Sequence, residues 1–592
     1  MAVNQLNDII QRWRVTPEKD LRQEDYELFL NAGSTCIAQG DSAQLLDFIK
    51  EEKNETIVRS MGSGLLAPLV TELLKKEKNP VHCHSIVEHL VQTCDAKEVL
   101  EILLEKVDDA HPDLIADTIT LLVKPLQTVL LRMGDTKAPS VGLALNALQK
   151  QVSKLPVPCS RKQEQEDKYG LCRCCTALVN FVQPFVQEMK TQDSQAAQDA
   201  RLRTELLKFC MESLREPLLH AQLDREVDTP RNSPLWNFAT EILAILPAIQ
   251  EPLPKLLFYH PLRGREDTIS AEGDTGHPNE SRACLAYLVF VQLIAMEIFP
   301  AVFSPLFVLQ CNMEYVNLLL SRKDESWILK GLDLYVKSLE RVMDNSLPVE
   351  LLDLKSFYSV PQNLIELMTE CPIQHLRIKG LVVFQLFVEK LEEEAKHKFF
   401  RCIFKTSNHA GVQSIILKNI KNQVEFSTKS GKEDDWFVGT RLISLLRETV
   451  CIPDGADTDL LHCMDRVMES LNLLRYLLIR EKKKPNGVWP ELCSITESYI
   501  KMLRVCLSMS KSYYAAELKA LREGEKVKAK ELKQAKSNKS FRNIKVKNEK
   551  LSSMSPEVQH QVLQCALVTF DLMESLVVRI EEITEKEVKH EQ

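Results

Sequence analysis

Met464 to Arg480, MDRVMESLNLLRYLLIR, sets Met464, Val467, Leu471, Leu474 and Leu478 three or four residues apart, with Asp465, Glu469 and Asn472 between them. A helix turns about 100° per residue, so this spacing gathers the apolar side chains on one stripe and leaves the polar ones on another side. Leu381, Phe384, Val388 and Leu391 repeat the pattern. Val562, Ala566, Phe570, Met573, Val577 and Ile580 extend it near the C-terminus, behind Ser555 and Pro556, which suit N-cap and first-turn positions. No stretch alternates strictly between apolar and polar residues and is flanked by hairpin turns. The spacing predicts an all-α chain.

Working outward, the stripes are interrupted at Leu155 (LPVPCSRKQEQEDK), Lys190, Asp228 and, over the longest distance, Leu262 to Ser281 (LRGREDTISAEGDTGHPNES). The main boundary is expected at this last break. The expected organisation is an N-terminal helical-repeat domain over 1–261, a polar linker over 262–281 and a HEAT-like domain over 282–522. A basic segment over 523–554, expected as a partly disordered linker or an extended helix, and a final helix over 555–592, packing back on the C-terminal domain, complete it. Short proline-bearing turns at Cys371-Pro372 and Cys451-Ile452-Pro453 suggest antiparallel helix hairpins stacked side by side, as in HEAT or armadillo arrays. No signature recurs at a fixed spacing, so the expected fold is an irregular helical-repeat solenoid in two helical halves, with two unrelated bundles as the alternative.

Composition narrows the function classes. Eighteen glycines in 592 residues are about 3%, against roughly 7% in average proteins. Phosphate-cradling loops and doubly wound nucleotide folds consume glycine, so nucleotide chemistry is disfavoured. Lys+Arg 75 against Asp+Glu 83 gives a net charge of −8, which offers no general nucleic-acid footprint. Lys519 to Lys550 nevertheless carries twelve Lys/Arg and four Asp/Glu, net +8, leaving −16 for the rest. With Phe541 as its only aromatic residue, this stretch lacks a base-stacking surface. Seventeen cysteines spread along the whole chain read as reduced thiols of a cytoplasmic or nuclear protein. The N-terminus holds no signal-peptide stretch. Cys284 to Cys311 comes nearest to a membrane span, but Pro300 and Pro305 break it into pieces shorter than the roughly 20 residues required. Two buried helices meeting at Pro300, in a soluble chain with no membrane partner, are expected.

Catalytic and metal-binding patterns are sparse. Cys172, Cys174 and Cys175 include a C-x-x-C, but zinc needs four ligands and no second pair lies nearby, so core thiols are expected. His82, Cys83, His84 and His89 lack an H-E-x-x-H or a carboxylate partner and read as a histidine-bearing helix surface. No phosphate loop, nucleophile elbow or dinucleotide fingerprint occurs; Gly62-Ser63-Gly64 reads as a turn, and Glu392-Glu393-Glu394 as a solvated face. The residues thus favour a non-enzymatic chain with no cofactor and no metal site, although an enzyme with a dispersed site leaves no motif. One surface stands out in TSNHAGVQSIILKNIKNQVEF, Thr406 to Phe426. Val412, Ile416, Ile420 and Val424 fall on one side; Ser414, Lys418, Lys421, Asn422 and Glu425 fall opposite, a mixture able to grip a polar partner.

Several strings carry a family resemblance: Leu155-Pro156-Val157-Pro158, Tyr169-Gly170-Leu171-Cys172-Arg173-Cys174-Cys175, Leu285 to Gln292, Thr406-Ser407-Asn408-His409, Asn419 to Gln423 and Ser470 to Leu477. In their order, running from Met1-Ala2-Val3 to Thr569-Phe570-Asp571-Leu572, the chain resembles the glomulins. The resemblance implies a HEAT-like protein that binds the RING domain of the RING-box subunit of cullin-RING ubiquitin ligases. Through that subunit it would meet cullins, and by covering the surface for the ubiquitin-conjugating enzyme it would inhibit ubiquitin transfer. The resemblance also implies FK506-binding immunophilins and a hepatocyte growth factor receptor as partners, and a role in vascular smooth-muscle development. It puts RING binding in the C-terminal half, where the helical face singles out Lys421 first, with Asn422, Lys418 and the Asn408-His409 turn beside it. Arg441 and Arg475 are weaker candidates from later helices. A generic scaffold or adaptor for immunophilins, receptor signalling or nuclear transport is the competing expectation.

Overall fold

Pro305 begins a helix because the Ser304 hydroxyl accepts from the Phe307 N–H, and Pro234 begins another because the Ser233 hydroxyl accepts from the Trp236 N–H. The computed structural model describes residues 2–16, 22–75, 80–191, 197–223, 233–262, 279–430, 436–483, 487–534 and 555–588. Among these the protein is helical, with no strand and one isolated bridge between Leu347 and Leu391. It divides into two compact units, Met1–Val342 and Met343–Gln592.

The first unit is built from successive helices that pack on their sequence neighbours, and buried amides stitch them together. Gln127, in the helix Ile115–Arg132, donates to the carbonyls of Asn180 and Phe181 at 2.9 and 3.0 Å. Gln149, in Lys137–Val152, donates to Phe209 O and Ser213 Oγ at 2.9 and 3.0 Å. Gln151 closes the helix Ala96–Asp108 by donating to Asp108 O at 2.9 Å. The bonds satisfy glutamine amides that the packed seams would otherwise strand.

The unit boundary differs from the sequence expectation. Residues 263–278, most of the expected linker, lie outside the described residues, but the helices flanking them, Leu253–Leu262 and Asn279–Phe290, pack together inside the first unit. Phe258 and Phe290 stack with centroids 6.3 Å apart, and Tyr315 Oη donates to Leu257 O at 2.5 Å. Apolar packing across the polar break overrides the break as a boundary. The Cys284–Cys311 stretch also differs: its two helices, Asn279–Phe290 and Pro305–Leu320, are separated by an irregular segment with a short 3₁₀ turn, and Pro300 lies in that segment.

Among the described residues, the α-helices of the second unit are α1 (Lys355–Glu370), α2 (Gln374–Lys390), α3 (Glu393–Thr406), α4 (Ala410–Ser430), α5 (Gly439–Thr449), α6 (Met464–Lys483), α7 (Trp489–Gln534) and α8 (Pro556–Val588). Pairs α1–α2, α3–α4, α4–α6 and α7–α8 are in contact, and α3–α5 and α5–α7 link alternate helices. This is the arrangement of stacked helix hairpins. The basic stretch begins as an extended helix, since α7 continues through Gln534; residues 535–554 lie outside the described residues.

Among the described residues, three helical stretches are long and apolar enough to cross a membrane by length and composition alone: Glu52–Lys75, Pro112–Arg132 and Glu557–Glu585. None is the Cys284–Cys311 stretch. The third turns Leu563, Ala566, Phe570, Met573, Val577 and Ile580 inward but leaves Val558, Val568, Leu572 and Val578 exposed, and the first is interrupted by 3₁₀ turns at Glu52–Asn54 and Gly62–Leu65.

Candidate protein-binding surface

α4 is held by its inner face. Val412, Ile416, Ile420 and Val424 are buried, as their spacing requires. Its start is fixed by Gln413, whose amide donates to Ser407 O at 2.8 Å and so closes the turn that carries Asn408 and His409. The Gln413 Oε1 in turn accepts from Arg466 Nη1 of α6 at 2.9 Å. Arg466 is buried, lies over the Phe404 ring at 4.7 Å and donates to Cys451 O at 2.8 Å. A guanidinium with several fixed donors is suited to this task, tying α3, α4 and the α5–α6 turn into one body.

On the outer side, Lys418 and Asn422 are exposed, as are Asn408 and His409 at the preceding turn. Lys421 differs from the fully solvated group that helical periodicity suggests. It is half-buried, with Nζ 5.5 Å from the centroid of the Tyr476 ring on α6. The cation therefore also belongs to the α4–α6 seam. Arg475, beside Tyr476, is half-exposed. Arg441 is exposed on α5, with its guanidinium 4.3 Å from the Trp436 ring centroid, away from the α4–α6 pair. Lys418, Lys421 and Asn422 thus share one helix, Arg475 is on α6 next in sequence to the Tyr476 that Lys421 meets, and Arg441 stands on another helix.

The neighbouring α2 supplies what the sequence reasoning missed. Gln385 and Asn419 exchange two hydrogen bonds, each 3.0 Å, which lock α2 beside α4. On α2, Ile378, Leu381 and Val382 are exposed, so Leu381 does not join the buried stripe; Val383, Phe384, Phe387 and Val388 fill it. The three exposed residues form an apolar band on a helix whose low amphipathicity hid which apolar residues face inward. A surface with an apolar part and a cation-and-amide part has the composition of a protein interface, in which an apolar centre is bordered by polar groups.

Behind α5, His397 is buried and its Nε2 lies 3.3 Å from Arg441 O. Burial lowers its pKa, and the Arg401 and Arg441 cations add to that, against the hydrogen bond to Arg441 O and the Glu448 carboxylate, which raise it. Glu448 itself titrates below the usual range: burial opposes ionisation, but the bonds from Arg401 and Lys405 outweigh it.

The first unit accounts for the cysteine motif. Asp167 accepts from the backbone N–H groups of Cys172 and Arg173 at 2.9 and 3.0 Å and starts the helix Leu171–Thr191. Gly170 is required there: its φ is +77° and a Cβ would lie 2.3 Å from that of Ala116. Cys172, Cys174 and Cys175 are buried core thiols. Burial, followed by the Asp167 carboxylate, pushes Cys172 and Cys174 up to about 12, and burial raises Cys175 as well. Raised thiols are poor nucleophiles and poor metal ligands. Among the described residues no group of three or more His, Cys, Asp or Glu side chains is placed to hold a metal ion. In the helix Pro80–Thr93, Cys83 faces the core while His84 is exposed and His82 and His89 are half-exposed. A cavity of about 370 Å³ has walls from Pro156, Val157, Pro158, Tyr169 and Leu171, so two of the quoted strings meet in space.

The family described as "Uncharacterised protein family, YAP/Alf4/glomulin" matches residues 1–554. The chain belongs to this family. Homo sapiens glomulin is 43% identical over 596 residues, covering 100% of this chain and 98% of that protein; Mus musculus glomulin is 44% identical over 591 residues, covering 99% and 98%. Among solved structures, a circular tandem repeat protein with novel repeat topology and enhanced subunit contact surfaces covers 99% of this chain and 96% of its own at 11% identity. Its TM-score of 0.18 is too low to argue from.

Proposed function

We propose that this chain is a non-enzymatic inhibitor of cullin-RING ubiquitin ligases, which binds the RING domain of the RING-box subunit and masks its surface for the ubiquitin-conjugating enzyme. The observation that carries the reading is likeness to two glomulins along essentially their whole length. The α4 surface supports it physically: Lys418 and Asn422 stand free on a helix braced from behind by Gln413 and Arg466. A rigid, preorganised face binds with less ordering cost. Inhibition by occlusion needs no catalytic residue. At free inhibitor concentration [L], the uncovered fraction of RING falls as 1/(1 + [L]/Kd). Zinc belongs to the partner's RING.

The test is ubiquitin-chain synthesis by a reconstituted cullin-RING ligase, with purified chain added. Suppression that is relieved by excess conjugating enzyme, while a ligase with an unrelated RING stays active, is the expected result. Undiminished synthesis at saturating chain, or equal suppression of both ligases, refutes the proposal.

A further inference from the structure

Trp327 and His220 are joined by a hydrogen bond that a second proton on the imidazole would abolish. His220 follows the short element Leu214–Leu218 and is half-buried; Trp327 is buried in the first turn of the helix Glu325–Glu340. Trp327 Nε1 donates to His220 Nδ1 at 3.4 Å, and His220 Nε2 lies 3.3 Å from Glu216 Oε1. An indole nitrogen only donates, so Nδ1 is the bare nitrogen and the proton sits on Nε2, facing the carboxylate. One turn along the helix, the buried Lys330 ammonium donates to Ala221 O at 2.5 Å and ties the same two segments together. The Arg322 guanidinium lies 5.5 Å from the centroid of the Trp327 ring and donates to Glu280 at 3.0 Å.

The two contacts make opposite demands on His220. Toward Glu216 the imidazole gains from a second proton. The bond to Glu216 raises its pKa above the ordinary 6.5, burial opposes the rise, the Glu216 and Asp324 charges add to it and the Lys330 charge opposes it. Other charges on the elements packed here are engaged elsewhere: Arg215 bonds Glu212, and Arg282 bonds Asn279. Toward Trp327 the second proton is unfavourable, because on Nδ1 it would point at the indole N–H, and the edge of an aromatic ring is its positive part. We propose that His220 is a pH-sensitive latch: neutral, it holds Trp327 to the turn after Leu214–Leu218; protonated, it keeps Glu216 and releases the indole. The Glu216 pair strengthens in the same step and the Lys330 bond stays, so the fold persists while the indole edge comes free. The latch lies within the first unit and does not depend on the ligase reading.

The test uses the full chain carrying fluorotryptophan at its five tryptophan positions, with the Trp327 resonance assigned by its absence from Trp327→Phe. Followed by fluorine NMR from about pH 8 to about pH 5.5, that resonance is expected to move along one titration curve with its midpoint above 6.5. His220→Gln, which cannot take the proton, should flatten the curve, and Glu216→Gln should lower its midpoint. Amide hydrogen exchange, corrected for its intrinsic pH dependence, reads the release itself. In wild type, peptides over 219–223 and 325–330 should exchange about tenfold faster once His220 is protonated, whereas His220→Gln should show one rate throughout. A Trp327 resonance that does not titrate, a curve that survives in His220→Gln, or a midpoint unmoved by Glu216→Gln would each overturn the proposal. So would a titrating resonance with unchanged exchange, because His220 would then take its proton without letting go.

Discussion

Helices α4 and α7 each set one side into the core of the second unit, and they differ in what they leave outside. α4 keeps Val412, Ile416, Ile420 and Val424 inside and shows Lys418 and Asn422. α7 keeps Leu503, Leu507, Tyr514 and Leu518 inside and shows Met502, Val505, Met509 and Tyr513. In α4 polarity alone separates the two faces. In α7 both faces carry apolar residues, and the inner one is packed, with the ring centroids of Tyr514 and of Phe570 on α8 lying 5.6 Å apart. An exposed polar face is therefore weak evidence of a partner, since solvent satisfies it, whereas an exposed apolar face leaves a hydrophobic gain unused.

The largest test attacks the inner side of α4. Arg466→Leu removes the donor that Gln413 Oε1 and Cys451 O share, so the buried Gln413 acceptor, with the one at the exposed Cys451, loses its partner and the buried ring contact loses its cation. A loss of about 3 kcal/mol in unfolding free energy is expected, read by urea denaturation. The counterpart on α7, Arg504→Leu, breaks an ion pair whose arginine is largely exposed, and should cost less than about 1 kcal/mol. Equal losses would mean that Arg466 is no more a structural anchor than a surface cation.

The next test attacks the outer sides. Lys418→Glu with Asn422→Ala changes two exposed α4 residues and should weaken RING binding by about 1 to 3 kcal/mol if they meet the partner at a desolvated spot, with thermal unfolding unchanged. Met509→Lys on α7 should leave that binding intact. Calorimetry against the isolated RING-box subunit separates the two faces, and a reversed pattern would move the ligase surface to α7.

How much of this was legible in the sequence follows from the same contrast. The all-α class and the buried side of α4 were legible because leucine, valine and isoleucine recur at helical spacing against polar gaps. The burial of Cys172, Cys174 and Cys175 was legible from their apolar surroundings. The unit boundary was not: composition marks where a loop is polar, but packing across 263–278 is a long-range property of Phe258, Phe290 and Tyr315. Leu381 was misplaced because α2 carries apolar residues around most of its circumference, which erases the periodic signal. The Lys421–Tyr476 contact was invisible because it joins two helices whose relative rotation no local pattern records.

A smaller effect is expected from acid. Burial holds the His397 pKa below its ordinary 6.5, so the unfolded chain takes up the proton first as pH falls. Its neutral form thus contributes stability that is complete above about pH 6.5 and is lost as pH falls from there towards the folded pKa. His220, in the first unit, has the opposite sign: its bond to Glu216 raises its pKa, and its contribution is lost as pH rises through the raised value. The comparison that isolates His397 is wild type against His397→Gln, by urea denaturation from pH 7.5 to 5. A difference between the two that narrows on acidification supports the buried neutral imidazole beside α5. A constant difference would show that His397 titrates alike in the folded and unfolded chain.

The smallest effect concerns Lys421, where the two sides of α4 meet. Its stem and ammonium lie against Tyr476, so substitution acts on packing as well as on any partner. The contact is half-exposed, which limits a cation–π term to about 0.5 to 1 kcal/mol. Lys421→Met keeps the stem and removes the charge, while Tyr476→Leu removes the ring and keeps an apolar contact. In a double-mutant cycle with these two changes, a coupling energy of about 0.5 to 1 kcal/mol is expected in unfolding free energy. Coupling near zero would assign Lys421 wholly to the outer face, and any loss of RING affinity in Lys421→Met would then be a direct interface effect. Measurable coupling means that the same loss includes a shift of α4 against α6, which makes Lys418 and Asn422 the cleaner reporters of the surface.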